Sequence, residues 1–169
     1  MEKLLNNAFN GDPRSIGRLI SLVEADSPSA KEIMKKVYPR TGKAMIIGIT
    51  GSPGAGKSTF VDRLIEQFQA EGLRVGVIAI DPSSPFTGGA ILGDRLRMQG
   101  HALNENVFIR SMGSRGHLGG VSRSTHEASL ILDACGFDVV LIETVGVGQS
   151  EVDIIKIADT VVLVLVPGT

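Results

Sequence analysis

Ala44-Met45-Ile46-Ile47-Gly48-Ile49-Thr50-Gly51-Ser52-Pro53-Gly54-Ala55-Gly56-Lys57-Ser58 is the stretch that decides how this chain folds. A short apolar strand, Ala44 to Ile49, runs straight into a glycine-rich turn, and the spacing of Phe60, Val61, Leu64, Ile65 and Phe68 predicts a helix from Lys57 to Glu71. The turn itself, Gly51 to Ser58, fits G-x-x-x-x-G-K-[ST] at every position. Glycines allow backbone conformations closed to other residues, so successive N–H groups can converge on phosphate oxygens. The helix N-terminus adds unpaired amides and the positive end of its dipole. In such a loop Lys57 reaches the β- and γ-phosphates and the Ser58 hydroxyl is a Mg²⁺ ligand. The strand–turn–helix setting makes this a nucleoside triphosphate site.

Outward from the loop, strands and helices alternate. Val75–Ile80, Val107–Ile109, Val139–Ile142 and Thr160–Val166 read as strands, and Asp94–Met98, Arg123–Ala134 and Glu151–Ile157 as helices. That pattern predicts an α/β fold, a parallel sheet with helices on both faces. The last strand, apolar from Val161 to Val166, reads as central and buried on both faces, so the chain is expected to be truncated, a covering helix lying beyond Thr169. Residues 1–40 read as helices: Asp12-Pro13 and Ser27-Pro28 each offer an N-cap followed by proline, and Ile16, Leu19, Ile20, Val23 and then Ala30, Ile33, Met34, Val37 keep helical spacing. The expected organisation is a helical extension over 1–40 and a P-loop NTPase domain over 41–169.

Three carboxylates stand where metal and water need handling. Asp81 ends the strand Val77–Ile80, at the carboxyl edge where open α/β sheets bind ligands, although Asp81-Pro82 also suits a turn. Asp94 lies in a glycine-rich loop from Gly88, where it suits either a helix N-cap or a Mg²⁺ contact. Glu143 closes the strand Val139–Ile142, and Gly146 three residues later can offer its N–H to a γ-phosphate. Gln149 could orient water. Arg110, Arg115 and Arg123 flank the glycine-rich stretch from Gly113 to Gly120 and read as solvated loop charges, with contact to phosphate or a partner as the alternative. His101, His117 and His126 lack ligand spacing and read as surface or satisfied residues.

Composition excludes several classes. The 169 residues carry 17 Lys+Arg against 18 Asp+Glu, so no polybasic arm or acidic tail organises the chain, and aromatics at 4% argue against stacking on nucleic acid. Apolar residues at 43% argue against disorder. The longest apolar run, Val161–Val166, is far short of the roughly 20 residues that span a bilayer, and Met1–Asn7 has no apolar signal core. A cytoplasmic chain, or a processed organellar one, without membrane partners is expected. The single cysteine, Cys135, admits neither an internal disulfide nor a cysteine zinc site and reads as core packing. Most of the 21 glycines fall in the phosphate loop and the loops near Asp94, Gly113 and Gly146.

With these pieces quoted, the sequence closely resembles the ArgK/MeaB family of SIMIBI-class P-loop GTPases. The carrying segments are Gly48–Thr59, Ala79–Ser84, Thr87–Arg95 and, most specific with the last, Glu143–Glu151. The resemblance implies that Gly51, Ser52, Pro53, Gly54, Ala55, Gly56, Lys57, Ser58 and Thr59 form the phosphate site. It further implies that Asp81 and Asp94 belong to the Mg²⁺ and first switch region, and Glu143 with Gly146 to the second switch. It implies GTP and Mg²⁺ as ligands, a homodimer, and a chaperone role toward the cobalamin-dependent methylmalonyl-CoA mutase. Family members continue into a third switch, an Asn-Lys-x-Asp guanine motif and a dimerisation arm, none of which lies in these 169 residues. Guanine selectivity is therefore implied by resemblance alone.

The expected chemistry is slow hydrolysis of the γ-phosphate, with Lys57 and the loop amides holding the triphosphate and Asp81 or Glu143 orienting water. Two alternatives stay open: an ATP-dependent kinase or ATPase linked to lysine/arginine/ornithine transport, and a nucleotide-binding fragment without turnover.

Overall fold

The computed structural model describes residues 1–81, 104–113, 120–144, 150–166 and 168. Three helices come first: α1 (Glu2–Phe9), α2 (Pro13–Glu24) and α3 (Ala30–Val37), the last running into a 3₁₀ turn over Tyr38–Arg40. Then β1 (Met45–Gly51), α4 (Lys57–Ala70), β2 (Val75–Asp81), β3 (Val107–Gly113), α5 (Gly120–Ala134), β4 (Val139–Glu143), α6 (Ser150–Ile157) and β5 (Thr160–Val164) follow. The five strands form one sheet in the order β3-β2-β4-β1-β5, and every neighbouring pair is parallel. The α/β parallel-sheet fold expected from sequence is the fold observed.

Side chains alternate across the sheet, so each strand feeds two cores. Ile47, Ile49, Val75, Val77, Val139 and Leu141 meet Val61 and Ile65 of α4 on one face. Ile46, Ile78, Ile80, Val140 and Ile142 meet Ile16, Leu19 and Ile20 of α2 and Ile131 and Leu132 of α5 on the other. Residues expected to line the inner face of α2 are indeed buried, and so are Ala30, Ile33 and Val37 of α3. The N-terminal helices thus pack into the same apolar cluster as the sheet.

Gly48 shows why this face needs a glycine. A Cβ there would stand 2.7 Å from Ile154 Cγ1 and 3.3 Å from Ala158 Cβ, so the missing side chain lets α6 lie directly on β1.

Four expectations change. First, β5 is the outer strand of the described sheet, with Val161 37% and Leu163 60% exposed. Among the described residues it has a strand neighbour on one side only, β1, so the burial on both faces expected of a central strand is not seen there. Only Val162 and Val164 pack, against the α4 core. Second, the helix expected after Ser27-Pro28 starts at Ala30, with Ser29 at its N-cap, since Ala30 N–H closes a turn onto the Ser27 carbonyl (2.9 Å). Third, Phe60 of α4 is exposed rather than in the core. Fourth, β3 extends to Gly113, which puts Arg110 inside a strand. By contrast, Asp12 caps α2 as expected: its carboxylate accepts from Ser15 N and Ser15 Oγ, and these bonds hold its pKa below the usual carboxylate value. The helix expected at Asp94–Met98 lies outside the described residues.

Candidate functional site

β1 ends at the carboxyl edge of the sheet, between β4 and β5, where open parallel sheets bind ligands. Gly51 sits there at φ +140°, and a Cβ on it would come 2.1 Å from the carbonyl oxygen of Val164. Only glycine fits between β1 and β5 at that point. Gly54 and Gly56 also take positive φ, at +77° and +93°, and Gly56 is the left-handed N-cap from which α4 starts at Lys57. No side chain caps α4, so its first amides remain available to an anion.

Lys57 is nearly buried, 6% exposed. Its Nζ donates to the carbonyls of Gly51 (2.7 Å) and Ser52 (3.0 Å), which folds the ammonium back over its own loop. Ser58 Oγ donates to Glu143 Oε1 at 2.6 Å. Glu143 is the last residue of β4 and is paired in register with Ile49 of β1, so the ladder itself delivers its carboxylate to the start of α4. Thr144 prolongs that ladder, its N–H donating to the Ile49 carbonyl (3.1 Å). Its hydroxyl lies 3.3 Å from Thr50 Oγ1.

A cavity of about 470 Å³ opens over these residues, lined by Pro53, Gly54 and residues 56–59, by Ala79 and Ile80 of β2, and by Glu143 and Thr144. Loop amides, an ammonium and a hydroxyl–carboxylate pair converge on it. The oxygen donors suit a hard cation: Mg²⁺ commonly keeps several waters and takes one or two protein oxygens plus phosphates. Among the described residues no cluster of three or more His, Cys, Asp or Glu could hold a metal ion.

The structure therefore brings Gly51, Ser52, Pro53, Gly54, Ala55, Gly56, Lys57, Ser58, Thr59 and Glu143 to one edge of the sheet. Asp81 is the last residue of β2, at that same edge. Asp94, Gly146, Gln149, Arg115, His101 and His117 lie outside the described residues. His126 is exposed on α5. Cys135 is buried, and burial pushes its thiol up to about 12, in keeping with a packing role.

Arg110 corrects the reading of solvated arginines. It is on β3, with its side chain only 26% exposed, and its Nη2 donates to Ser21 Oγ (2.9 Å) and Glu24 Oε2 (3.2 Å) of α2. Arg123 does reach solvent, paired with Glu127 (3.0 Å) and Asp26 (3.8 Å). Sequence reasoning missed Thr50, Thr144 and a further carboxylate, Asp133. That residue is 4% exposed and accepts the amides of Gly42 (2.6 Å), Lys43 (3.3 Å) and Ala44 (3.0 Å). An acid directly after Ile131-Leu132 was the available signal, since a buried carboxylate must find donors.

Residues 16–169 match the family model described as Methylmalonyl Co-A mutase-associated GTPase MeaB. The chain belongs to the MeaB family. A Pyrococcus horikoshii protein whose name carries the word GTPase is 61% identical over 168 residues, 99% of this chain and 53% of that one. GTPase ArgK of Escherichia coli is 43% identical over 162 residues, 94% of this chain and 49% of its own length. Among solved structures, "Crystal structure of LAO/AO transport system kinase" superposes with a TM-score of 0.77 at 32% identity, covering 97% of this chain and 49% of that one. The chain spans about half the length of the curated relatives it matches. It is of the MeaB/ArgK GTPase type, as the resemblance implied. No helix among the described residues is long and apolar enough to cross a membrane.

Proposed function

We propose that this chain is the nucleotide-binding part of a GTPase that binds and hydrolyses GTP with Mg²⁺ and serves as a chaperone of a cobalamin-dependent methylmalonyl-CoA mutase. The observation that carries the first half is the meeting of Ser58 and Glu143 at 2.6 Å beside the buried Lys57 ammonium. The second half is supported by the family model's description and by a 38% identical Caenorhabditis briggsae relative named Methylmalonic aciduria type A homolog, mitochondrial.

In this reading the amides of 51–59 wrap the phosphates, and Lys57 leaves the Gly51 and Ser52 carbonyls for the β- and γ-phosphate oxygens. Its ammonium exchanges two neutral acceptors for anionic ones, which are roughly twice as strong. A Mg²⁺ held there would supply neutralisation of the charge that develops on the phosphates. Ser58 and Glu143, with Asp81 and Asp94, stand on the metal side. Asp81 or Glu143 orients the attacking water, and the Gly146 N–H reports the γ-phosphate. Residues 1–40 act as a helical extension of the 41–169 unit. The full-length protein acts as a homodimer in the cytoplasm.

A kinase reading draws on the name of the superposed LAO/AO transport system kinase. It would require phosphate transfer to a second acceptor. Titrating the full-length protein with labelled GTP and ATP, with and without Mg²⁺, separates the readings. Preferential binding of GTP with phosphate released to water supports the GTPase. ATP preference, or label appearing on an amino acid or protein acceptor, overturns it.

A further inference from the structure

β3 is the other outer strand of the described sheet, so its carboxyl end has a strand partner on one side only, β2. That end lies in register with the end of β2: Gly113 pairs with Asp81. The open side is gripped by α2 instead. Glu24, the last residue of α2, uses both carboxylate oxygens: Oε2 accepts from Arg110 Nη2 (3.2 Å) and Oε1 from the Gly113 amide (3.4 Å). Ser21, one turn earlier, accepts from the same Arg110 nitrogen (2.9 Å) while donating to the Gly17 carbonyl (3.0 Å).

The Glu24 and Arg110 side chains are only 14% and 26% exposed, so removing one strands its partner in a poorly solvated place. An exposed surface pair could be lost with little consequence. This one ties the N-terminal helices to the strand end that flanks Asp81.

We propose that Glu24 and Arg110 are positioning residues for the Mg²⁺ side of the nucleotide site: by fixing the Gly113 end of β3 from outside the sheet, they fix the end of β2 that carries Asp81. The inference rests on the triphosphate reading of the loop and adds to it a role for the helical extension.

The test uses the full-length protein with Glu24→Gln, Arg110→Lys and the charge swap of Glu24→Arg with Arg110→Glu. In nucleotide-free protein, Glu24→Gln is expected to speed amide hydrogen exchange at Gly113 and Asp81 by about tenfold, while amides of β1 keep wild-type rates. The Mg²⁺ concentration that half-saturates nucleotide binding is expected to rise about fivefold, with affinity in EDTA unchanged. Arg110→Lys keeps the charge but loses the fork, and should fall between wild type and Glu24→Gln. The swap, which restores opposite charges, should recover part of both losses. Lower thermal stability in Glu24→Gln, with wild-type exchange at Asp81 and a wild-type Mg²⁺ requirement, overturns the proposal and leaves a purely structural tie. Should Glu24→Gln not fold, Arg110→Lys carries the same two readouts, and wild-type values for both overturn it. A wild-type protein that binds no nucleotide at all instead refutes the phosphate-site reading, a result visible before any variant is compared; the proposal falls with it.

Discussion

Ser58 Oγ and Glu143 Oε1, 85 positions apart in sequence, are joined by a 2.6 Å hydrogen bond at the carboxyl edge of the sheet. One comes from the first turn of α4 and the other from the last position of β4, so the contact exists because β1 and β4 are neighbours in register. Glu143→Gln keeps the size of the side chain and removes its charge. We expect single-turnover phosphate release to slow by about 10²-fold or more, the scale of a lost acid–base or water-orienting group. Triphosphate affinity measured in EDTA should stay within a few fold of wild type. Unchanged turnover in Glu143→Gln would remove Glu143 from the hydrolytic machinery.

Asp133 holds the entry to β1 through three amides, those of Gly42, Lys43 and Ala44. Hydrogen bonds to a charged acceptor contribute roughly 1.5–3 kcal/mol each in favourable cases, but these amides can partly rehydrate. Asp133→Ala is expected to cost about 2 kcal/mol, read as a lower denaturant midpoint at unchanged slope. A midpoint within error of wild type would show that the segment 42–44 needs no such anchor.

Gly48→Ala places a Cβ within 2.7 Å of Ile154 Cγ1. Overpacking of this kind costs about 1–3 kcal/mol, because α6 must shift off β1 or Ile154 must leave its rotamer. Differential scanning calorimetry of the variant should give a lower Tm, and Ile154→Ala in the same background should return part of it.

Cys135 supplies a pH prediction. Burial raises its thiol from the ordinary 9.0 to about 12, so the folded protein holds the proton more tightly than the unfolded chain does. Stability from this group is complete below pH 9 and is lost as pH rises toward about 12. At pH 8 a thiol reagent should label Cys135 only through opening of the fold, at a rate that climbs with added denaturant. Immediate labelling of native protein would contradict the burial described.

How much of this could be read from sequence follows from how local each interaction is. The turn from Gly51 to Ser58 between β1 and α4 was legible because its glycines set its own backbone, and the place of Glu143 at the end of β4 because an acid there closes an apolar run. α2 was legible from Asp12 to Val23, where cap and spacing agree. The rest depends on partners far along the chain. Nothing around Arg110 announces Ser21 and Glu24, 89 and 86 positions away. Ser27-Pro28 failed for a local reason: the Ala30 amide closes a turn with the Ser27 carbonyl, so Pro28 lies in the turn and the helix starts after it.

In the proposed function the loop holds a triphosphate through Lys57. Isothermal titration of full-length wild type and Lys57→Ala with a non-hydrolysable GTP analogue, in Mg²⁺, tests it most directly. Saturable one-site binding to wild type is expected, and none to Lys57→Ala, whose circular dichroism stays native. Binding by Lys57→Ala at wild-type affinity would contradict it.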